Sequence, residues 1–130
     1  RIIIERNNTE EKIYGATNPV EISMDVPMAV LINNNTASAA ELFAAALQAN
    51  QRALVIGQTS FGKGTVQQIY SLSNGASVHV TSAEWFTSDD QTIEGEGPTP
   101  DVVMIPDENG RDVELGEAIR ILNLALESKN

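Results

Sequence analysis

At 130 residues with 42% hydrophobic residues, the chain can build one core and is too short for two ordinary domains. Its 18 acidic and 8 basic residues give a net charge of −10 with no Lys/Arg cluster to neutralise a run of phosphates, which argues against nucleic acid as a partner. Zero cysteines rule out disulfides, thiolate metal sites and a cysteine nucleophile, and no stretch matches a membrane span or a targeting segment.

The first residues, Arg1-Ile2-Ile3-Ile4-Glu5-Arg6, read as a strand entered midway, so the chain is expected to be a piece of something longer. A polar loop over residues 7–12 and a short segment Ile13-Tyr14-Gly15 follow. Val20 to Met24 alternates like a strand. Pro27 introduces the apolar run 28–32, which predicts a strand buried on both faces, as in a parallel sheet. After a polar tract, residues 38–50 combine strong helix formers with Leu42, Phe43, Ala46 and Leu47 on a core-facing side. A second apolar strand, 53–56, completes a βαβ unit. Residues 65–72 and 76–87, joined through Asn74-Gly75, predict an antiparallel hairpin, and the glycines and prolines near 95–100 then break regular structure. A final helix is expected to start at its cap Asp112, carry Glu114 and Glu117 early and Lys129 late, and bury Leu115, Ile119, Leu122 and Leu126.

The stretch GQTSFGKGTVQQ, 57–68, comes within one residue of a phosphate-binding loop. Gly57, Gly62 and Lys63 fit the spacing, but Gly64 stands where a magnesium-binding hydroxyl belongs, and the following residues favour a strand over the required helix. Lys63 therefore needs another role. Ser38-Ala39-Ala40-Glu41 is a helix capping box. A serine at the start of a helix that follows a buried strand also sits at the positive end of the helix dipole, near N–H groups suited to an oxyanion. Its hydroxyl needs a base. The lone His79 reads as a half-exposed strand residue, whereas a lysine can serve once desolvated, its ordinary pKa of about 10.4 leaving few neutral molecules at pH 7. Lys63 follows strand 53–56, so Ser38 and Lys63 are both expected at the carboxyl edge of the sheet.

The segments NNTASAAE with Ser38, FGKGTVQ with Lys63 and Gln67, and TSAEWFTSDDQTIEGEGPTPDV resemble the carboxyl-terminal processing peptidases, the tail-specific S41 serine proteases, over about residues 26 to 126. The resemblance implies the α/β fold of the Clp-protease and crotonase superfamily: a βαβ core, an antiparallel hairpin and a C-terminal helix. It implies Ser38 as nucleophile, Lys63 as general base, Gln67 as the residue that orients Lys63, and Ala39 as a backbone oxyanion donor, with no cofactor and no metal. It also implies protein or peptide substrates chosen by accessible C-terminal tails, and a periplasmic, secreted or other cell-envelope location. Thr36 stands where the family often has serine. The family's PDZ domain and its upstream segment with an oxyanion-hole glycine have no counterpart here, so residues 1–130 are expected to be part of a catalytic domain, weak or inactive alone, with apolar surface along strand 1–6 that favours self-association. The competing reading is a non-catalytic binding module of the same fold, with Ser38 only capping its helix. A calcium site at Asp89, Asp90, Glu94 and Glu96 lacks the ligand order of a calcium loop. Fully extended, Lys63 and Gln67 would stand ~13 Å apart, so a brief turn at 63–67 is expected.

Overall fold

Two sheets and two helices make up the computed structural model, which describes residues 1–17 and 22–128. The antiparallel sheet has the order β2-β1-β6-β5, from β1 (Ile3–Arg6), β2 (Glu11–Tyr14), β5 (Thr65–Ser71) and β6 (Ser77–Thr87). β1 lies between two partners, with Ile4 opposite Ile13 on one side and Phe86 on the other, and Ile4 is buried. Asn7 makes the β1–β2 connection tight: its side-chain oxygen accepts the N–H groups of Thr9 and Glu10, so β2 begins earlier than its apolar residues suggest.

The parallel sheet has the order β3-β4-β7, from β3 (Ala29–Ile32), β4 (Leu54–Gly57) and β7 (Val102–Val103). α1 (Ala39–Ala49) connects β3 to β4, which pair in parallel register from Ala29–Leu54 to Ile32–Gly57, so the expected βαβ unit is present. Val55 and Ile56 are fully buried, each side chain contributing about 1.5–3 kcal/mol by leaving water. β7 lies where only irregular chain was expected. Asp101 puts it there: its two oxygens accept the Val55 N–H and the Gln48 amide, pinning the segment to β4 and α1 at once.

Several burial expectations are corrected. β3 is not covered on both faces: Ile32 is buried on one, while Leu31 on the other is 42% exposed. On α1 Ala46 is buried and Leu42 and Leu47 are half-buried as expected, but Phe43 is 62% exposed; the centre of the core face is Glu41 with Ala44, Ala45 and Ala46, three small side chains that let the helix approach β4 and β6. α2 (Val113–Glu127) is capped by Asp112, which accepts the Leu115 N–H, but it buries only Ala118. Leu115, Ile119 and Leu126 are exposed and Leu122 half-buried, since β3 and β4 meet only one narrow side of the helix. Of the strand expected at Val20–Met24, Val20 and Glu21 lie outside the described residues and Ile22 to Met24 form a bend and turn; Lys129 also lies outside them. The turn expected at 63–67 is absent: β5 starts at Thr65 and a bulge falls between Val66 and Gln67.

Candidate functional site

β3 delivers the chain into a turn that its own polar residues close. Asn33 N–H donates to the Thr36 hydroxyl, Asn35 N–H to the Asn33 side chain and Thr36 N–H to the Asn33 carbonyl. The next polar residue, Ser38, enters α1 at φ 56°, ψ −123°. For a residue other than glycine this conformation costs about 1–3 kcal/mol and persists only where the surroundings fix it. A strained strand-to-helix turn of this kind is how a nucleophilic serine is lifted clear of a sheet. Ala39, the first residue of the helix, is exposed beside it.

Glu41 fixes that turn. Although 0% exposed, its carboxylate is fully partnered: Oε2 accepts the N–H of Ser38 at 2.7 Å and of Lys63 at 2.9 Å, while Oε1 accepts the N–H of Gly62 at 2.6 Å and the hydroxyl of Ser60 at 2.7 Å. Burial pushes this carboxyl up, but the donors from Ser60, Gly62, Lys63 and Ser38 outweigh it and hold the group below the ordinary glutamate value. One oxygen atom thus joins the backbone of Ser38 to that of Lys63. A second tie runs from the Phe61 N–H to the Thr36 carbonyl.

The glycines of the Phe61–Gly64 loop serve this packing. Residues 93–97 lie against the loop, with Gly95 N–H donating to the Gly62 carbonyl and Gly64 N–H to the Glu94 carboxylate. Gly62 has φ 85° and a Cβ there would come within 2.7 Å of the Glu96 nitrogen. At Gly97 a Cβ would overlap the Ser60 hydroxyl and Glu41 Oε1. Three of the four acidic residues weighed as calcium ligands are engaged elsewhere: Asp89 with the Thr87 hydroxyl, Asp90 with Arg6 at 2.7 Å, and Glu94 with Gly64.

The structure brings the backbones of Ser38 and Lys63 together and leaves the Lys63 side chain exposed. Gln67 lies on β5 just past the bulge, where its amide donates to the Thr81 hydroxyl at 2.7 Å. His79 is an exposed strand residue beside the Ser77 hydroxyl at 3.3 Å. Sequence reasoning found the capping half of Glu41 and missed its bonds to the 60–63 loop; Ser-x-x-Glu was the only signal. Next to Ala39 opens an apolar groove of about 780 Å³ lined by Ile2, Met24, Met28, Leu42 and Phe43, where the first strand meets α1.

The model of peptidase family S41 matches residues 2–104. A carboxy-terminal-processing protease of Bartonella bacilliformis is 42% identical over 102 residues, covering 75% of this chain and 24% of that protein. A carboxyl-terminal-processing protease of Synechocystis is 42% identical over 101 residues, with 78% and 23% covered. Among solved structures, a photosystem II D1 C-terminal processing protease superposes with a TM-score of 0.75 at 31% identity over 93% of this chain and 31% of its own. The chain spans about a quarter of the length of these curated relatives. No helix among the described residues is long and apolar enough to cross a membrane.

Proposed function

Because this chain belongs to peptidase family S41, we propose that it supplies the nucleophile and base of a serine endopeptidase that cleaves proteins selected by their C-terminal tails. Ser38 Oγ attacks the scissile carbonyl carbon while the neutral Lys63 amine takes its proton. The Ala39 N–H, at the start of α1, donates to the oxyanion of the tetrahedral intermediate. Its collapse expels the product amine, which leaves with the proton returned by Lys63, and a water activated by the Lys63 amine, neutral once more, hydrolyses the acyl-serine. Gln67 orients Lys63 once its amide turns from Thr81. The observation that carries the reading is the shared Glu41 oxygen, which holds the serine and lysine backbones as one unit beside an apolar groove.

A lysine acts as a base when water is removed from around it. Lys63 is exposed here, so the cover is expected from substrate and from the remainder of a larger catalytic domain, including a tail-reading PDZ domain and a second oxyanion donor. By itself the chain is expected to be weak or inactive and prone to self-association through the groove, and the whole enzyme to work in the cell envelope or another compartment outside the cytoplasm. Exposure of Lys63 also favours a second reading, a binding module of the same fold without catalysis. The deciding experiment assays the whole protein on an unstructured peptide with Ser38→Ala, Lys63→Ala and Lys63→Arg. Loss of cleavage in all three is expected, since a guanidinium keeps its proton; near-normal turnover of Lys63→Arg would mean that Lys63 supplies only charge.

A further inference from the structure

None of the 18 acidic or 8 basic residues falls between Gly64 and Ala83, although the molecule as a whole is strongly anionic. The β5–β6 hairpin built from that stretch has two different faces. Tyr70 lies opposite Val78 and Gln68 opposite Val80, so Tyr70, Leu72, Val78 and Val80 share a face, each between 45 and 52% exposed. The other face carries Gln67, Ser71, Ser77, His79 and Thr81, in part bonded to one another, with Ile69 exposed among them.

β5 ends the sheet, so one of its edges has no neighbouring strand among the described residues. Leu72 N–H donates to the Ala76 carbonyl across the hairpin. Inward bonding alternates along an antiparallel pair, which turns Tyr70 and Gln68 inward as well and aims the N–H and C=O of Ile69 and Ser71 at the open edge. Exposed edges are commonly guarded by Lys, Pro or inward charges. This edge has none of these, its one irregularity being the bulge between Val66 and Gln67, so the regular open stretch is 67–71; β5 itself starts at Thr65, two residues beyond Lys63.

We propose that the open edge of β5 docks the substrate: an extended, uncharged stretch of unfolded polypeptide adds to it as a further strand and is led toward Ser38 and Lys63. Main-chain hydrogen bonds supply affinity independent of sequence. Most strands of a folded protein already have their main-chain groups paired, so the edge favours unfolded segments. Acidic segments are repelled by the net charge of −10 and find no cation on the hairpin. What happens to the bound stretch rests on the peptidase reading; the binding itself does not.

The test uses the 130-residue chain with Ser38→Ala, labelled for amide detection, and an end-capped ten-residue peptide of alternating Val and Thr. Three forms are compared: unmodified, N-methylated at every central residue, and with every second Thr replaced by Glu. The expected result is shifts at the Ile69 and Ser71 amides, affinity about tenfold lower on methylation, and a similar salt-sensitive loss with Glu. Ile69→Pro, which removes an outward N–H that an edge strand can forgo, should match the methylated peptide with an unchanged circular dichroism spectrum; if that variant unfolds, the methylated peptide decides. Equal binding of the methylated peptide, no saturable binding, or shifts at Leu42 and Phe43 in place of β5 would overturn the proposal. So would a chain that sediments as a dimer and becomes monomeric with Ile69→Pro, since a second copy would then hold the edge. Absence of cleavage in the whole protein would sink the peptidase reading and leave these binding results standing.

Discussion

Replacing Glu41 by Gln changes one oxygen into an NH₂ group in a place where every partner is a donor. On the Oε2 side the amide would face the N–H groups of Ser38 and Lys63; on the Oε1 side it would face the Gly62 N–H and the Ser60 hydroxyl, which can rotate to accept. The second placement is cheaper and still leaves one buried N–H unpaired, at about 1–3 kcal/mol, and weakens the remaining bonds, which lose their charge. The expected destabilisation is about 2–4 kcal/mol, a large share of the 5–15 kcal/mol typical of a domain. Urea unfolding of both proteins measures it as a lowered midpoint at unchanged slope. The effect has a pH signature. A carboxyl held below its ordinary value contributes stability that is complete above its unfolded pKa of about 4.3 and is lost as pH falls through the lower folded value, so the two proteins should converge in acid. A difference under about 0.5 kcal/mol at pH 7, or one that persists unchanged well below pH 4, would refute the role assigned to the carboxylate.

Gly97→Ala should be nearly as damaging, by about 2 kcal/mol or more, because its methyl overlaps Glu41 Oε1 and the Ser60 hydroxyl; a Tm within a degree of the parent would show that segment 93–97 gives way freely. Ser38→Gly should stabilise the chain, by up to about 1 kcal/mol, by relieving the positive φ while removing the proposed nucleophile; a loss of stability would mean the turn is not strained. The chain alone should cleave an unstructured peptide about a hundred- to a thousandfold more slowly than the whole protein, the usual effect of losing one oxyanion donor; equal rates would show a self-contained site.

What was legible in the sequence had a local cause. The runs 28–32 and 53–56 carry β-rich apolar residues, 38–50 carries helix formers, and Asn74-Gly75 permits the tight turn in which Gly75 takes φ 84°; these became β3, β4, α1 and the β5–β6 hairpin. β7 escaped because two residues make a strand only through Asp101, whose partners lie 46 and 53 positions away. Phe43 on α1 and the apolar face of α2 were misjudged for one reason: periodicity marks a side that wants cover, and only packing shows what covers it. Ser38 and Lys63 stood out by residue type and setting. Glu41 showed its capping role in Ser-x-x-Glu, but its bonds to Ser60, Gly62 and Lys63 depend on a loop whose approach no short window encodes.

The carboxylate that ties Ser38 to Lys63 frees the chain between them from any duty as a ruler. Their separation of 25 positions is filled by α1 and β4, yet both ends meet at one oxygen atom, and α1 points its far end away from that meeting. Lengthening α1 by whole turns at its C-terminal end, with β4 kept in register, would leave the serine and lysine where they are. Counting residues from serine to lysine is therefore a poor guide to related sites; a Ser-x-x-Glu at a helix start, with a glycine loop after the next strand that turns two successive backbone N–H groups toward the carboxylate, is what the geometry requires.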